Sequence, residues 1–249
     1  MQPRLSSFSV VSASMPFQMA LDQLLFERAV EAHQQKNAQP PEALLRFYYS
    51  SEPWISIGYS HAGWKTLNHQ GVPEAFLEES KRAPLCRRMT GGGRVLHGRD
   101  LMFTLIAPKD MHPRYKSVMD SYTQIHEVLQ LALKAVGINA GFYQDDKPLP
   151  AGKDCFLFPI TSDLAVSGKK IAGGGQKRSL GVLLHQESIQ LENTSLYEPL
   201  MTEFSARLSA SLGCVGQTAD WQPELFDAAE NLGREKYEIL SSYTTAEVV

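Results

Sequence analysis

The chain is short of cysteine, of net charge and of long apolar runs, and each shortage removes a class of protein. Its 249 residues hold three cysteines, Cys86, Cys155 and Cys214. They are odd in number with no close spacing, so neither a disulfide framework nor a CxxC zinc site is supported. The histidines show no HxxxH or HExxH spacing, and no metal site is expected. A formal net charge of −3 supplies no overall basic field, so nucleic acid is not an expected partner. No apolar stretch approaches a membrane span, and no charged region followed by an apolar run opens the chain. A cytoplasmic protein with reduced thiols is the expectation. Repeats, low-complexity tracts and the Gly-x-Ser-x-Gly nucleophile motif are also missing.

What is present suits a packed enzyme. The chain is 43% hydrophobic and 20% charged, ordinary for a globular protein, and no Pro/Gly/Ser linker divides residues 1–249, so one domain is expected. Residues 6–12 read as a strand. Residues 15–35 read as a helix with Met19, Leu21, Leu24, Leu25, Ala29 and Val30 on one stripe. The runs 44–49 and 54–59 read as a strand pair joined by a turn. A short helix is expected at 74–82, strands at 84–88 and 101–107, and a strong helix at 115–136 stopped by Gly137. Strands then recur from 138 to 191, and helices follow at about 201–213 and 223–238. Such grouping predicts an α+β fold with one large, mostly antiparallel or mixed sheet flanked by helices.

Two glycine-rich segments and one thiol carry the chemistry. Gly91, Gly92 and Gly93 stand between strands, preceded by Arg88 and followed by His97. Three glycines there either bare backbone N–H groups to an oxygen-rich ligand or make a tight β-connection. The GKS/GKT ending of a phosphate-binding Walker loop is absent. Arg82, Arg87, Arg88, Arg94 and Arg99 crowd the same stretch, as a solvated loop or as a face for an anion. Downstream, Ser167-Gly168 reads as a hairpin turn. Lys169 and Lys170 alternate faces after it, so only one can point inward. Gly173, Gly174 and Gly175 follow at once and leave room beside that lysine. Cys155 lies in an apolar run, where a thiol is either packed and inert or a nucleophile. Local sequence favours the packed thiol and does not point to a nucleophile.

The order of these segments does. Arg87-Arg-Met-Thr-Gly-Gly-Gly-Arg-Val-Leu-His97 followed by Gly168-Lys-Lys-Ile-Ala-Gly173, with a first helix Met19-Ala-Leu-Asp-Gln-Leu-Leu25 and Arg46-Phe-Tyr-Tyr…Ile57-Gly-Tyr-Ser60, resembles the biotin/lipoate protein ligase and octanoyltransferase superfamily over residues 15–240. Cys155 upstream of the lysine segment is most similar to the cysteine-dependent octanoyltransferases. That resemblance implies Cys155 as the acyl-thioester nucleophile and Lys170 as the active-site lysine. It also implies Gly91, Gly92 and Gly93 lining an acyl tunnel, Gly173 giving the lysine its close approach, and Arg88 and His97 as further substrate-binding motif residues. Acyl carrier protein would be the donor, and a lipoyl-domain protein (glycine cleavage H protein or a dehydrogenase E2) the acceptor, with no cofactor. The alternative within the family is an ATP-dependent lipoate ligase, using Mg2+ and an acyl-adenylate. A lesser one is a non-catalytic relative that binds acylated proteins. Two departures stand out. Gly173-Gly-Gly-Gln176 replaces the common Gly-Ser-Ala-Gln, and His185-Gln-Glu187 replaces a common His-Gly pair. Gly98 stands where ligases usually carry Asp.

Overall fold

The computed structural model describes residues 2–35, 40–66, 74–144 and 160–240. In chain order the elements are β1 (Arg4–Ala13), α1 (Met15–Gln34), β2 (Glu42–Ser50), β3 (Trp54–Ile57), α2 (Leu77–Ser80), β4 (Leu85–Arg87), β5 (Arg94–His97) and β6 (Leu101–Pro108). There follow α3 (Val118–Ala135), β7 (Gly141–Phe142), β8 (Leu164–Val166), β9 (Lys169–Ser179), β10 (Val182–Ile189), α4 (Tyr197–Leu212), β11 (Val215–Ala219), α5 (Pro223–Leu232) and β12 (Glu238–Leu240). The predicted large sheet is there: eight strands in the order β11-β1-β2-β6-β10-β9-β8-β7. It is parallel at β11-β1-β2 and antiparallel from β2 to β7. A second sheet, β12-β4-β3-β5, was not signalled by the sequence.

That second sheet corrects one expectation. Residues 44–49 and 54–59 do form strands, but they do not pair with each other. β2 has both edges occupied, by β1 and by β6, so β3 has no edge to join. The short Ser-Ser-Glu-Pro connection instead carries the chain into the small sheet, between β4 and β5.

Each face of the large sheet is covered by a helix pair. Phe47, Phe103 and Leu105 point to one side, where Ile125 and Leu129 of α3 and Phe204 and Leu208 of α4 meet them. Tyr48, Met102, Ile106 and Leu184 point to the other, against Met19, Leu25 and Phe26 of α1 and Leu225 and Ala229 of α5. A fully buried side chain such as Phe103 contributes roughly 1.5–3 kcal/mol through removal from water. Local signals fix the helices. Ser14 accepts from the Phe17 N–H at the start of α1, Ser117 caps α3, and Gly137 takes φ +87° just beyond α3, where a left-handed residue ends a helix at no steric cost.

Strand β10 departs from the usual pattern of a central strand. It is buried along its whole length, yet His185, Gln186, Glu187 and Ser188 follow one another in it. Buried polar groups require partners, and those partners build the site. No helix among the described residues is long and apolar enough to cross a membrane.

Candidate active site

The site begins at the β8–β9 hairpin. Ser167 and Gly168 take φ +50° and +78°, the conformation of a two-residue hairpin turn. The two lysines after it diverge as alternation requires. Lys169 is exposed beside Glu192, and Lys170 is buried with its Nζ 2.7 Å from Asp163 Oδ2. Ala165 pairs with Lys170 and Leu164 with Ala172, so Ile171 is an extra residue in β9, a bulge that re-aims its neighbours. Lys170 consequently folds over Gly173. A Cβ on Gly173 would stand 2.2 Å from Lys170 Cε and 2.3 Å from Nζ. The close approach expected of Gly173 is therefore present.

Asp163, which the sequence did not single out, organises the lysine. Its Oδ2 accepts the Ile160 N–H at 2.8 Å, and its Oδ1 accepts the Tyr122 hydroxyl at 2.7 Å. The same Tyr122 oxygen accepts the Gly174 N–H at 2.8 Å. Burial, with the charges of Glu187 and Asp163, holds the Tyr122 hydroxyl well above its ordinary range. It is thus a neutral donor that ties α3 to the lysine strand.

The upstream glycine loop is held by Arg88. Its Nη2 donates to the Gly91 and Gly93 carbonyls at 3.0 and 2.7 Å, and its Nη1 to the Ser56 carbonyl and hydroxyl at 3.1 and 3.0 Å. Gly92 has φ +99°, so the tight-connection reading of this loop is met at one glycine. The loop also packs against Gly58, where a Cβ would lie 2.1 Å from the Gly92 carbonyl oxygen. Gly58→Ala is expected to push this loop aside and lower the melting temperature, because the added Cβ is rigidly held and the atoms it meets are backbone. An unchanged melting curve would contradict it. His97 lies between Asp100 (Nδ1 to Oδ2, 2.7 Å) and Ser56 (Nε2 to Oγ, 2.7 Å). Burial, the largest influence on Asp100, pushes its carboxyl up. Contacts from His97, Ser188 and Gly98 outweigh that and hold it low.

Between the sheets lies a partly open cavity. Met15, Met19, Tyr48, Val95 and Met102 give it apolar walls, and Ser56, Arg88, His97, Lys170 and Gln186 give it polar ones. The structure brings Arg88, His97, Lys170 and Gly173 together there. Gly91, Gly92 and Gly93 do not line it: the Gly91 and Gly93 carbonyls accept from Arg88 and the Gly92 carbonyl packs against Gly58, and the lining glycines are Gly173, Gly174 and Gly175. Cys155 lies outside the described residues. Cys86 is buried in β4, which pushes its thiol up to about 12, and burial also raises the thiol of Cys214. Neither is a ready thiolate.

Under Gly174, on the α3 side, His126, His185 and Glu187 converge within metal-ligand distance of one another. Local spacing gave no hint of this, because the residues come from α3 and β10. Hydrogen bonding accounts for the cluster. Gln176 Oε1 takes Arg178 and Ser121 donors, which turns its Nε2 toward His185 Nδ1 at 3.3 Å. His185 therefore carries its proton on Nε2 and donates it to Glu187 Oε2 at 2.8 Å, while His126 Nε2 lies 3.0 Å from the same oxygen. Burial works against the Glu187 carboxylate, but these two histidines hold it at about 2. Glu187 and Gly174 are directly opposed in the β9–β10 ladder. A Cβ on Gly174 would lie 2.4 Å from Glu187 Oε2. Gly174, which departs from the family pattern, thus faces Glu187, and glycine at 174 makes room for the carboxylate.

A mixed sheet with a glycine loop, a buried lysine and an apolar cavity between two sheets is the architecture of a lipoate-ligase catalytic domain. The sequence model of the lipoyl protein ligase A/B catalytic domain matches residues 14–206, and the chain belongs to that family. Among curated relatives, octanoyltransferase LipM of Bacillus cereus is 33% identical over 184 residues, covering 71% of this chain and 61% of the relative. LipM of Bacillus subtilis is 30% identical over 188 residues, covering 73% and 63%. The chain thus spans about three fifths of the length of these relatives. Among solved structures, lipoate-protein ligase A bound with ATP superposes with a TM-score of 0.66 at 16% identity, covering 95% of this chain and 96% of that one. A bi-partite lipoate protein ligase system from Thermoplasma acidophilum, studied with its E2 lipoyl domain, gives 0.62 at 15%, covering 98% and 100%. At that identity these two likenesses establish the fold.

Proposed function

We propose that this chain is a protein octanoyltransferase. It moves an octanoyl group from acyl carrier protein to a lysine of a lipoyl-domain protein, by way of a thioester on Cys155. The carrying observation is the Lys170–Asp163 pair fixed in the wall of an apolar cavity, in a chain related to curated octanoyltransferases. The Cys155 thiolate attacks the donor thioester, and the freed pantetheine thiol leaves with a proton. Lys170 stabilises the negative charge that develops on the carbonyl oxygen. An ammonium near the thiol also favours the thiolate. The acceptor amine then attacks the Cys155 thioester and yields an amide. Thioester to amide is downhill, so the reading needs no nucleotide and no metal. Each methylene of the chain buried against Met15, Met19 and Met102 contributes about 0.8 kcal/mol. A reducing cytoplasm, where Cys155 stays a free thiol, suits this chemistry.

The test uses the full chain and octanoyl-acyl carrier protein without ATP. Intact mass is expected to show one octanoyl adduct that hydroxylamine removes and that Cys155→Ser lacks. Adding a lipoyl domain should discharge it. Transfer of free lipoate that requires ATP, with no adduct in its absence, would replace this reading by the ligase one.

A further inference from the structure

The transfer chemistry proposed above leaves one constellation in the cavity unused. Ser56 on β3, His97 on β5 and Asp100 just before β6 are all buried, and Ser56 and His97 both face the cavity. Asp100 is a low-range carboxylate, so its Oδ2 can only accept, and His97 Nδ1 must carry the proton across their 2.7 Å contact. In the neutral ring Nε2 is then an acceptor, and it lies 2.7 Å from Ser56 Oγ. Arg88 Nη1 donates to that same Oγ at 3.0 Å, which directs the serine proton at Nε2. Asp100 is itself fixed by the Ser188 hydroxyl at 2.6 Å and the Gly98 N–H at 3.1 Å. Nucleophile, base and orienting carboxylate are all within hydrogen-bond reach, the geometry by which such triads are recognised irrespective of sequence position.

We propose that Ser56, His97 and Asp100 form a serine-nucleophile triad that hydrolyses medium-chain acyl thioesters or esters entering this cavity. The activity is independent of Cys155. Ser56 Oγ bonds to the acyl carbonyl carbon as its proton passes to His97 Nε2, and the guanidinium of Arg88 stands beside the developing charge. The C–S or C–O bond breaks, and the leaving thiol or alcohol takes the proton from His97. Water then attacks the Ser56 ester with His97 again as base, releasing the fatty acid and restoring the hydroxyl. No other reactant is needed. The apolar walls of Met15, Met19 and Met102 set the substrate class.

The full wild-type chain is treated with an octyl fluorophosphonate, which phosphonylates activated serines, and the adduct is mapped by peptide mass. One equivalent on Ser56 is expected. Asp100→Asn should slow labelling by at least about 100-fold, in the sense that loss of the orienting carboxylate slows serine triads. Thiol release from an octanoyl thioester without acceptor should also survive Cys155→Ser and vanish in Ser56→Ala. The mapped adduct on the wild-type chain decides the matter even if Ser56→Ala does not fold. No adduct, an adduct on another residue, or undiminished labelling in an Asp100→Asn protein with wild-type melting would overturn the proposal and leave the series a staple between the two sheets. A Cys155 octanoyl adduct would form in either case, so the two readings fail separately.

Discussion

Lys170→Ala is expected to lower kcat/KM for the proposed octanoyl transfer by roughly 10²–10³-fold, the usual size of losing one preorganised donor to a developing oxyanion. It should also destabilise the protein, because Asp163 loses the cation 2.7 Å away while remaining 2% exposed. Removing one partner of a buried pair typically costs about 3–5 kcal/mol. Asp163 keeps its Tyr122 and Ile160 donors, so the lower end of that range is expected here. The mirror change, Asp163→Ala, leaves a buried ammonium without its carboxylate and should cost at least as much. Asp163→Asn added to Lys170→Ala should recover part of the stability and none of the activity. Denaturant midpoints and single-turnover rates on the same preparations separate the two effects. Wild-type turnover in Lys170→Ala would remove the lysine from the mechanism.

Stability and chemistry are coupled here because the same contacts serve both. Tyr122 joins α3 to Asp163 and to the Gly174 N–H. On the other side of the cavity, Thr90 donates to Gln186, and Gln186 to Asp22, at 2.8 and 2.7 Å. Asp22 also receives Arg46 at 2.6 Å, with both residues buried. The glycine loop, the first helix and strand β10 are thereby fixed through polar groups that have little other place to bond. A satisfied buried network of this kind specifies one arrangement of the cavity walls.

Much of this was legible in the sequence because it followed local periodicity. The helices at 15–35 and 115–136, the Ser167-Gly168 turn and the inward choice of one lysine all rest on spacing along a single element. The pairing of residues 44–49 with 54–59 failed for a non-local reason, since β2 is already flanked by β1 and β6. β11 escaped notice because its VGQTA segment is mostly exposed and polar, so its pairing with β1 left no apolar mark. Asp163, Tyr122 and Ser56 were missed for the same kind of reason, since each acts on a residue from another element and reads in the sequence as an ordinary turn, helix or strand residue. Asp100 stands only three residues from His97, but in the sequence it reads as an ordinary turn residue. The run His185-Gln-Glu-Ser188 inside an otherwise apolar strand was a visible signal, since a buried polar run must find partners.

Gly173→Ala should nearly reproduce the catalytic loss of Lys170→Ala at a smaller cost in stability. The added Cβ would meet Lys170 Cε and Nζ at 2.2 and 2.3 Å, and Asp163 Oδ1 at 2.9 Å. The lysine end is flexible, so the fold can yield by swinging the ammonium away rather than by moving β9. Overpacking of this size costs about 1–3 kcal/mol, but the displaced Nζ no longer sits on Asp163 or faces the cavity. A double-mutant cycle makes the cause visible. On the Lys170→Ala background the two shortest contacts are gone and only Asp163 Oδ1, at 2.9 Å, remains to give way. Gly173→Ala should then add little to the loss of either activity or stability, leaving a large coupling between the two positions. Equal effects of Gly173→Ala on both backgrounds would place its role in the strand itself and not in the approach of the lysine.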